Sequence, residues 1–110
     1  MAQDFRNNLA LVTSSDTTLW TGGDFDVVIG IMLCNSDTDD NVIDVYVERS
    51  STHYHLAKSL SLPAKSSVQL LTGGAKLVLV NGDVLKANMT TGTDNDTQAI
   101  ISVVDQASTT

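Results

Sequence analysis

The chain has 110 residues, a formal net charge of −7 and 42% hydrophobic residues. That is one globular domain with room for one modest core, and no apolar run nears the roughly 20 residues that a bilayer-spanning helix needs. The acidity disfavours direct binding to nucleic-acid phosphate, and the N-terminus lacks a basic-then-apolar signal pattern.

Residues 1–8 are polar, with Phe5 as the one large apolar anchor. They read as an N-terminal arm, either frayed or docked on a neighbouring subunit through Phe5. Residues 9–105 read as the folded domain, and residues 106–110 as a polar tail. Two short strands are expected over 9–12 and 17–21. Trp20, the only tryptophan, belongs either to the core or to an interface where it acts as an anchor. Gly22, Gly23 and Asp24 start a turn.

Residues 27–35 form the longest apolar run, rich in β-branched types, and read as a central strand. Alternation places Val27, Ile29, Ile31 and Leu33 on the core face. Val28, Gly30, Met32 and Cys34 fall on the other, which is also apolar. Either loops or another subunit must cover that second face. Gly30 marks a bulge or a close approach. Cys34, the only cysteine, reads as a small buried hydrophobe and can form no internal disulfide.

Residues 36–41 are oxygen-rich but lack the EF-hand spacing, so they read as a solvated turn. Ile43, Val45 and Val47 then alternate with Asp44, Tyr46 and Glu48, apolar inward and polar outward. Residues 49–52 turn the chain into a strand bearing His53, Tyr54 and His55. The two histidines share a face, but no third ligand lies nearby, so no metal site is expected. Pro63 ends or edges a strand. A short strand follows over 68–71, stopped by Gly73 and Gly74. Asn81-Gly82, between two strand-like runs, predicts a type I′ hairpin. Residues 99–104 form the closing strand.

Neither a nucleophile elbow nor a phosphate-cradling glycine loop is present, so no catalytic or cofactor-binding residue is assigned and the chain does not read as an enzyme. Eight or nine short strands at this spacing imply an all-β antiparallel two-sheet sandwich, Ig-like or jelly-roll-like.

The order of these elements resembles a family of small tailed-phage virion structural proteins, found in viruses of marine and freshwater bacteria. The resemblance covers most of the chain. It rests on residues 5–12, on Thr17-Thr18-Leu19-Trp20 and on the strands at 27–35 and 42–47. It continues through Thr52-His53-Tyr54-His55-Leu56-Ala57-Lys58, Leu62-Pro63, Gly73-Gly74-Ala75-Lys76-Leu77-Val78-Leu79, Gly82-Asp83-Val84-Leu85-Lys86 and the last strand. His55, where relatives often have tyrosine, and Asp37 to Asp40 depart from the pattern. The resemblance implies a β-sandwich component of the virion in many copies. The first expectation is a capsid decoration (cement) protein that binds the major capsid protein on the outer head surface as a homotrimer. The second is a tail or baseplate structural protein, which could bind a receptor or glycan. Neither calls for nucleic acid, membrane or cofactor. The expected interface draws on Phe5, Trp20, Val28, Met32, Cys34, Tyr46, His53, Tyr54 and His55.

Overall fold

A computed structural model describes residues 2–23, 26–72 and 75–108. Asp24, Gly73, Gly74 and the last two residues of the expected tail, on which parts of the sequence reading fall, lie outside the described residues. The chain is all-β. Its strands are β1 (Ala2–Val12), β2 (Thr17–Thr21), β3 (Asp26–Asn35), β4 (Asn41–Arg49), β5 (Thr52–Leu62), β6 (Ser67–Gln69), β7 (Leu77–Leu79), β8 (Val84–Thr91) and β9 (Thr97–Ser108). Every pairing is antiparallel.

Sheet I has the order β1-β9-β3-β6, with β7 also on β3; sheet II has the order β2-β8-β4-β5. The pairs are nested. β4 pairs with β5, β3 with β6 and β7, β2 with β8, and β1 with β9. The chain is therefore one long hairpin, with β4–β5 at its tip, rolled so that successive pairs alternate between sheets. Rolling adds β3–β9 and β4–β8 contacts. This is the strand order of a jelly roll, and an immunoglobulin sandwich groups its strands differently.

The core lies between the sheets. Sheet I supplies Val12, Val28, Ile31, Leu33, Ala99, Ile101 and Val103. Sheet II supplies Leu19, Ile43, Val45, Val47, Leu85, Ala87 and Met89. Each fully buried branched side chain stabilises the fold by about 1.5–3 kcal/mol relative to exposure.

Four features differ from the sequence reading. First, residues 2–8 are strand rather than arm: β1 runs from Ala2 and pairs along β9, which itself extends to Ser108. Second, a β-bulge between Val28 and Gly30 shifts the phase of β3. Val28, expected on the outer interface face, is 0% exposed in the core, while Ile29, expected in the core, is exposed. One extra residue in a strand moves every side chain before it to the opposite face.

Third, Asn81-Gly82 is not a hairpin turn. It carries the chain from β7 in sheet I to β8 in sheet II. The Asp83 N–H donates to the Val80 carbonyl at 3.0 Å, and Gly82 has φ +98° whereas Asn81 does not have positive φ. That is the pattern of a type II turn. The type I′ hairpin is instead at Ser50-Ser51 (φ 52° and 66°), between the paired Arg49 and Thr52. Fourth, Asp44 and Tyr46 of β4 are buried although they point away from the core.

The strand opposite β3 is interrupted between β6 and β7. Gln69 fills part of the gap: its Oε1 accepts the Ile31 N–H at 2.7 Å, and the Ile31 carbonyl accepts from Leu70 N–H at 2.9 Å. Backbone groups left by the missing ladder thus find partners. At one end of the sandwich, buried Asn35, Asn41 and Thr97 tie the loops together. Asn41 Nδ2 donates to Asn35 Oδ1 and Thr97 Oγ1, and Asn35 Nδ2 donates to the carbonyls of Asp39 and Leu62.

Candidate interaction surfaces

Register fixes what each sheet shows to its surroundings. On sheet I, Leu9, Ile100 and Met32 stand side by side across β1, β9 and β3. One row away are Leu11, Gln98 and Cys34; on the other side are Asn7, Ser102 and Gly30, then Phe5, Val104, Val27 and Val78. Phe5 is 81% exposed and Leu9 69%, and Leu11, Ile29, Met32, Val78 and Ile100 are also exposed. Among the described residues no outward position of these rows is charged. An uncharged face on which exposed apolar side chains predominate marks an interaction surface. Cys34, a free cysteine, is half-buried within it.

Sheet II treats its outer face differently. Tyr46 on β4 is 2% exposed because two imidazoles from β5 lie over it. Its ring stacks on His53 at a centroid distance of 4.2 Å and meets His55 at 5.3 Å. The i, i+2 spacing of the histidines puts both rings on one face of the strand, as expected. Around this cluster the charges are paired. Glu48 accepts from Lys86 Nζ at 3.1 Å and lies 3.1 Å from His53 Nε2. The Lys86 bond, ahead of the opposing effect of burial and the smaller effect of His53, holds the Glu48 carboxyl below its usual range. Burial, the Asp16 carboxylate and neighbouring acids push the Tyr46 phenol well above the usual tyrosine value. Tyr46 is thus a covered platform beneath the two imidazoles.

Asp44 explains a second bulge. β5 carries an extra residue beside it, and Ser59 takes φ 55°. Asp44 Oδ1 accepts the Ser59 N–H at 2.7 Å, and Oδ2 accepts from Lys58 Nζ at 3.3 Å. Burial raises the Asp44 pKa, but these bonds outweigh it and the net shift is downward.

The remaining expected residues are dispersed. Trp20 is half-buried at the core edge, where its Nε1–H donates to Asp26 Oδ2 at 2.8 Å. The same oxygen accepts the Gly23 N–H at 2.8 Å. Burial works against the charged form of Asp26, yet these two bonds hold its carboxyl below the usual range. The indole therefore ties β2 to the start of β3. Phe5, Trp20 and Ile29 also line an open depression of about 650 Å³ at the β1 end of sheet I. Tyr54 pairs with Val47 on the opposite side of β5 from the histidines. It lines an open groove of about 320 Å³ between the sheet edges, with Leu56, Leu77 and Val78.

At the floor of that groove is a pair that the sequence reading missed. Asp83, 1% exposed, accepts two bonds from Arg49, Nε–Oδ1 at 2.5 Å and Nη2–Oδ2 at 2.7 Å, and one from the Val80 N–H at 3.1 Å. The Arg49 guanidinium, against the opposing effect of burial, holds the Asp83 carboxyl below the usual range. An aspartate directly after an Asn-Gly turn was the available signal, since such a carboxylate can bond back to the turn's own backbone.

Among the described residues no cluster of three or more His, Cys, Asp or Glu side chains could hold a metal ion. Fold and surface together define a small acidic jelly-roll sandwich with one sheet face uncharged and largely apolar and the other polar, carrying the Glu48–Lys86 and Asp44–Lys58 pairs. In comparisons with protein-family models, curated proteins and solved structures, none matches this chain.

Proposed function

We propose that the chain is a structural protein of a tailed-phage virion, acting as a decoration protein that binds the major capsid protein on the outer head surface. The observation that carries the reading is the two-faced sandwich: a net charge of −7 combined with an exposed, uncharged sheet face. Acidity suits a protein that sits outside the head and away from packaged DNA. An apolar face suits a protein whose task is to add buried interface to a shell, where many modest contacts sum to strong retention. The jelly roll recurs in viral capsid and lectin domains, which supports the reading by analogy of fold alone. The role is mechanical, with subunits bridged against the outward pressure of the packed genome, and it assigns no catalytic residue.

Imaging of virions that carry the protein tests this reading. The expected result is density repeated at equivalent positions over the outer head surface. Bare capsid faces with density confined to a ring on the tail would overturn it in favour of a tail or baseplate role. The Tyr46–His53–His55 cluster and the exposed Tyr54 favour that second reading, because aromatic and imidazole surfaces offer sugars a stacking platform. Glycan-array binding by the purified chain, lost in a His53→Ala/His55→Ala variant, is its expected signature.

A further inference from the structure

We propose that the outer face of sheet I is covered by the same face of a second copy of this chain, the two copies packing face to face about a twofold axis. The inference concerns the purified chain alone and gives to a second copy the face on which the virion reading draws, so the two compete for that surface.

Area is the first argument. Three strands of ten to twelve residues, with β6 and β7 adding three residues each at the fourth position, give a face of roughly 600 Å² in projection at about 4.8 Å between strands and about 3.3 Å per residue. Side-chain relief raises the accessible area above the projection, towards the roughly 800 Å² per partner of a standard stable interface.

Charge is the second. Two copies of a chain with net charge −7 repel each other over most of their surface. The sheet I rows carry no charged outward position among the described residues. Two copies can meet there without burying an unpaired carboxylate, which would cost several kcal/mol per ion. A basic partner would find no counter-charge on this face, so electrostatic complementarity gives it no advantage there.

Self-complementarity is the third. Apolar rows led by Leu9-Ile100-Met32 and by Phe5 flank a row of small and amide side chains at Asn7, Ser102 and Gly30. A twofold axis presents the same ridges and furrow from the other copy. Two sheets pack in this way about 10 Å apart, with strands crossing at about 30°. The contact is isologous and gives a pair. The trimer expected from sequence would instead place unlike surfaces together.

The test is the solution mass of the full chain by sedimentation equilibrium, from micromolar to near-millimolar concentration. The expected mass is twice that of the 11.7 kDa chain. Ile100→Asp, at the centre of the face, should raise the dissociation constant about tenfold or more, and Thr18→Asp on the outer face of sheet II should leave it unchanged. Should Ile100→Asp lose its cooperative melt, Leu9→Asp carries the same test, because Leu9 lies on an edge strand and is largely exposed. A one-chain mass at every concentration would overturn the proposal and leave the face to a different protein. A trimer, or a dimer untouched by both aspartate variants, would overturn it as well.

Discussion

On the outer face of sheet I, Leu9, Ile100 and Met32 stand together with no charge among them. On the outer face of sheet II, Glu48 sits between Lys86 and His53, Asp44 is bonded by Lys58 and Ser59, and Tyr46 lies under two imidazoles. Both faces come from strands with the same two-residue alternation. The difference is in who completes them. Sheet II finishes its own surface with side chains from β5, whose bulge delivers Ser59 to Asp44. Among the described residues no element is laid over sheet I. A face that its own chain leaves apolar is the place to look for a protein partner; the polar face of sheet II offers its stacked imidazoles instead.

The largest expected effect tests the alternation itself. Ile101 is fully buried and Ile100, next to it on β9, is exposed. Ile101→Ala should destabilise by about 2–5 kcal/mol through lost burial and a residual cavity. Ile100→Ala should cost less than about 1 kcal/mol, measured by urea unfolding at a concentration where copies do not associate. Equal losses would mean that the two sides of sheet I are not distinct. Val28→Ala should likewise cost more than Ile29→Ala, the reverse of what simple alternation in the run implies.

Next in size is the Arg49–Asp83 pair at the edge groove. Arg49→Ala removes two bonds and leaves a buried carboxylate with one backbone donor, at an expected cost of about 1–3 kcal/mol. The pH dependence has a fixed sign. The folded-state pKa of Asp83 lies below its unfolded value of about 3.9, because Arg49 bonds the charged form. Its stabilisation is fully present above that unfolded value and is lost as pH falls through the folded value. Urea midpoints should be flat near neutrality and fall below about pH 4, and the fall should be shallower in Arg49→Ala.

Removing part of the roof over sheet II should cost less. His53→Ala takes away the ring stacked on Tyr46, an interaction worth about 0.5–1.5 kcal/mol. Tyrosine fluorescence should then become more accessible to a soluble quencher. Unchanged quenching would mean that Tyr46 is covered by something other than the imidazoles. The smallest effect is a gain. Ser50 and Ser51 both hold positive φ in the β4–β5 turn, which asparagine and glycine adopt more readily. Ser50→Asn/Ser51→Gly should stabilise by about 0.5–1 kcal/mol, seen as a higher melting temperature with neither outer face altered.

The sheets were legible in the sequence because alternation and turn residues are local signals. Ile43-Val45-Val47 against Asp44-Tyr46-Glu48 announces a strand whatever surrounds it. What escaped depended on partners distant in sequence. The Val28–Gly30 bulge is defined against β9, so nothing inside the run distinguishes Val28 from Ile29 as the inward residue. Asn81-Gly82 advertises a hairpin, but β7 is claimed by β3 and β8 by β2 and β4. The turn therefore bridges two sheets. Among the expected interface residues, Met32 and Cys34 share the outer face of sheet I with Phe5. Tyr46, His53 and His55 cluster on sheet II. Val28 belongs to the core, and Trp20 is held at the core edge by its bond to Asp26. Burial of Asp44 and Tyr46 could not be read from β4, because the groups that cover them arrive from β5.

The nested pairing has a consequence for how the chain comes to be folded. In sheet I, β9 lies between β1 and β3; in sheet II, β8 lies between β2 and β4. The central strand of each sheet thus comes later in the sequence than both of the strands it joins. Before it joins them, the β4–β5 hairpin is the pairing with the shortest loop to close, while β1 waits for a partner at the far end of the sequence. Contacts of such long separation are closed late and slowly. The sandwich closes only once β8 and β9 are in place, and until then its first two strands lack their partners.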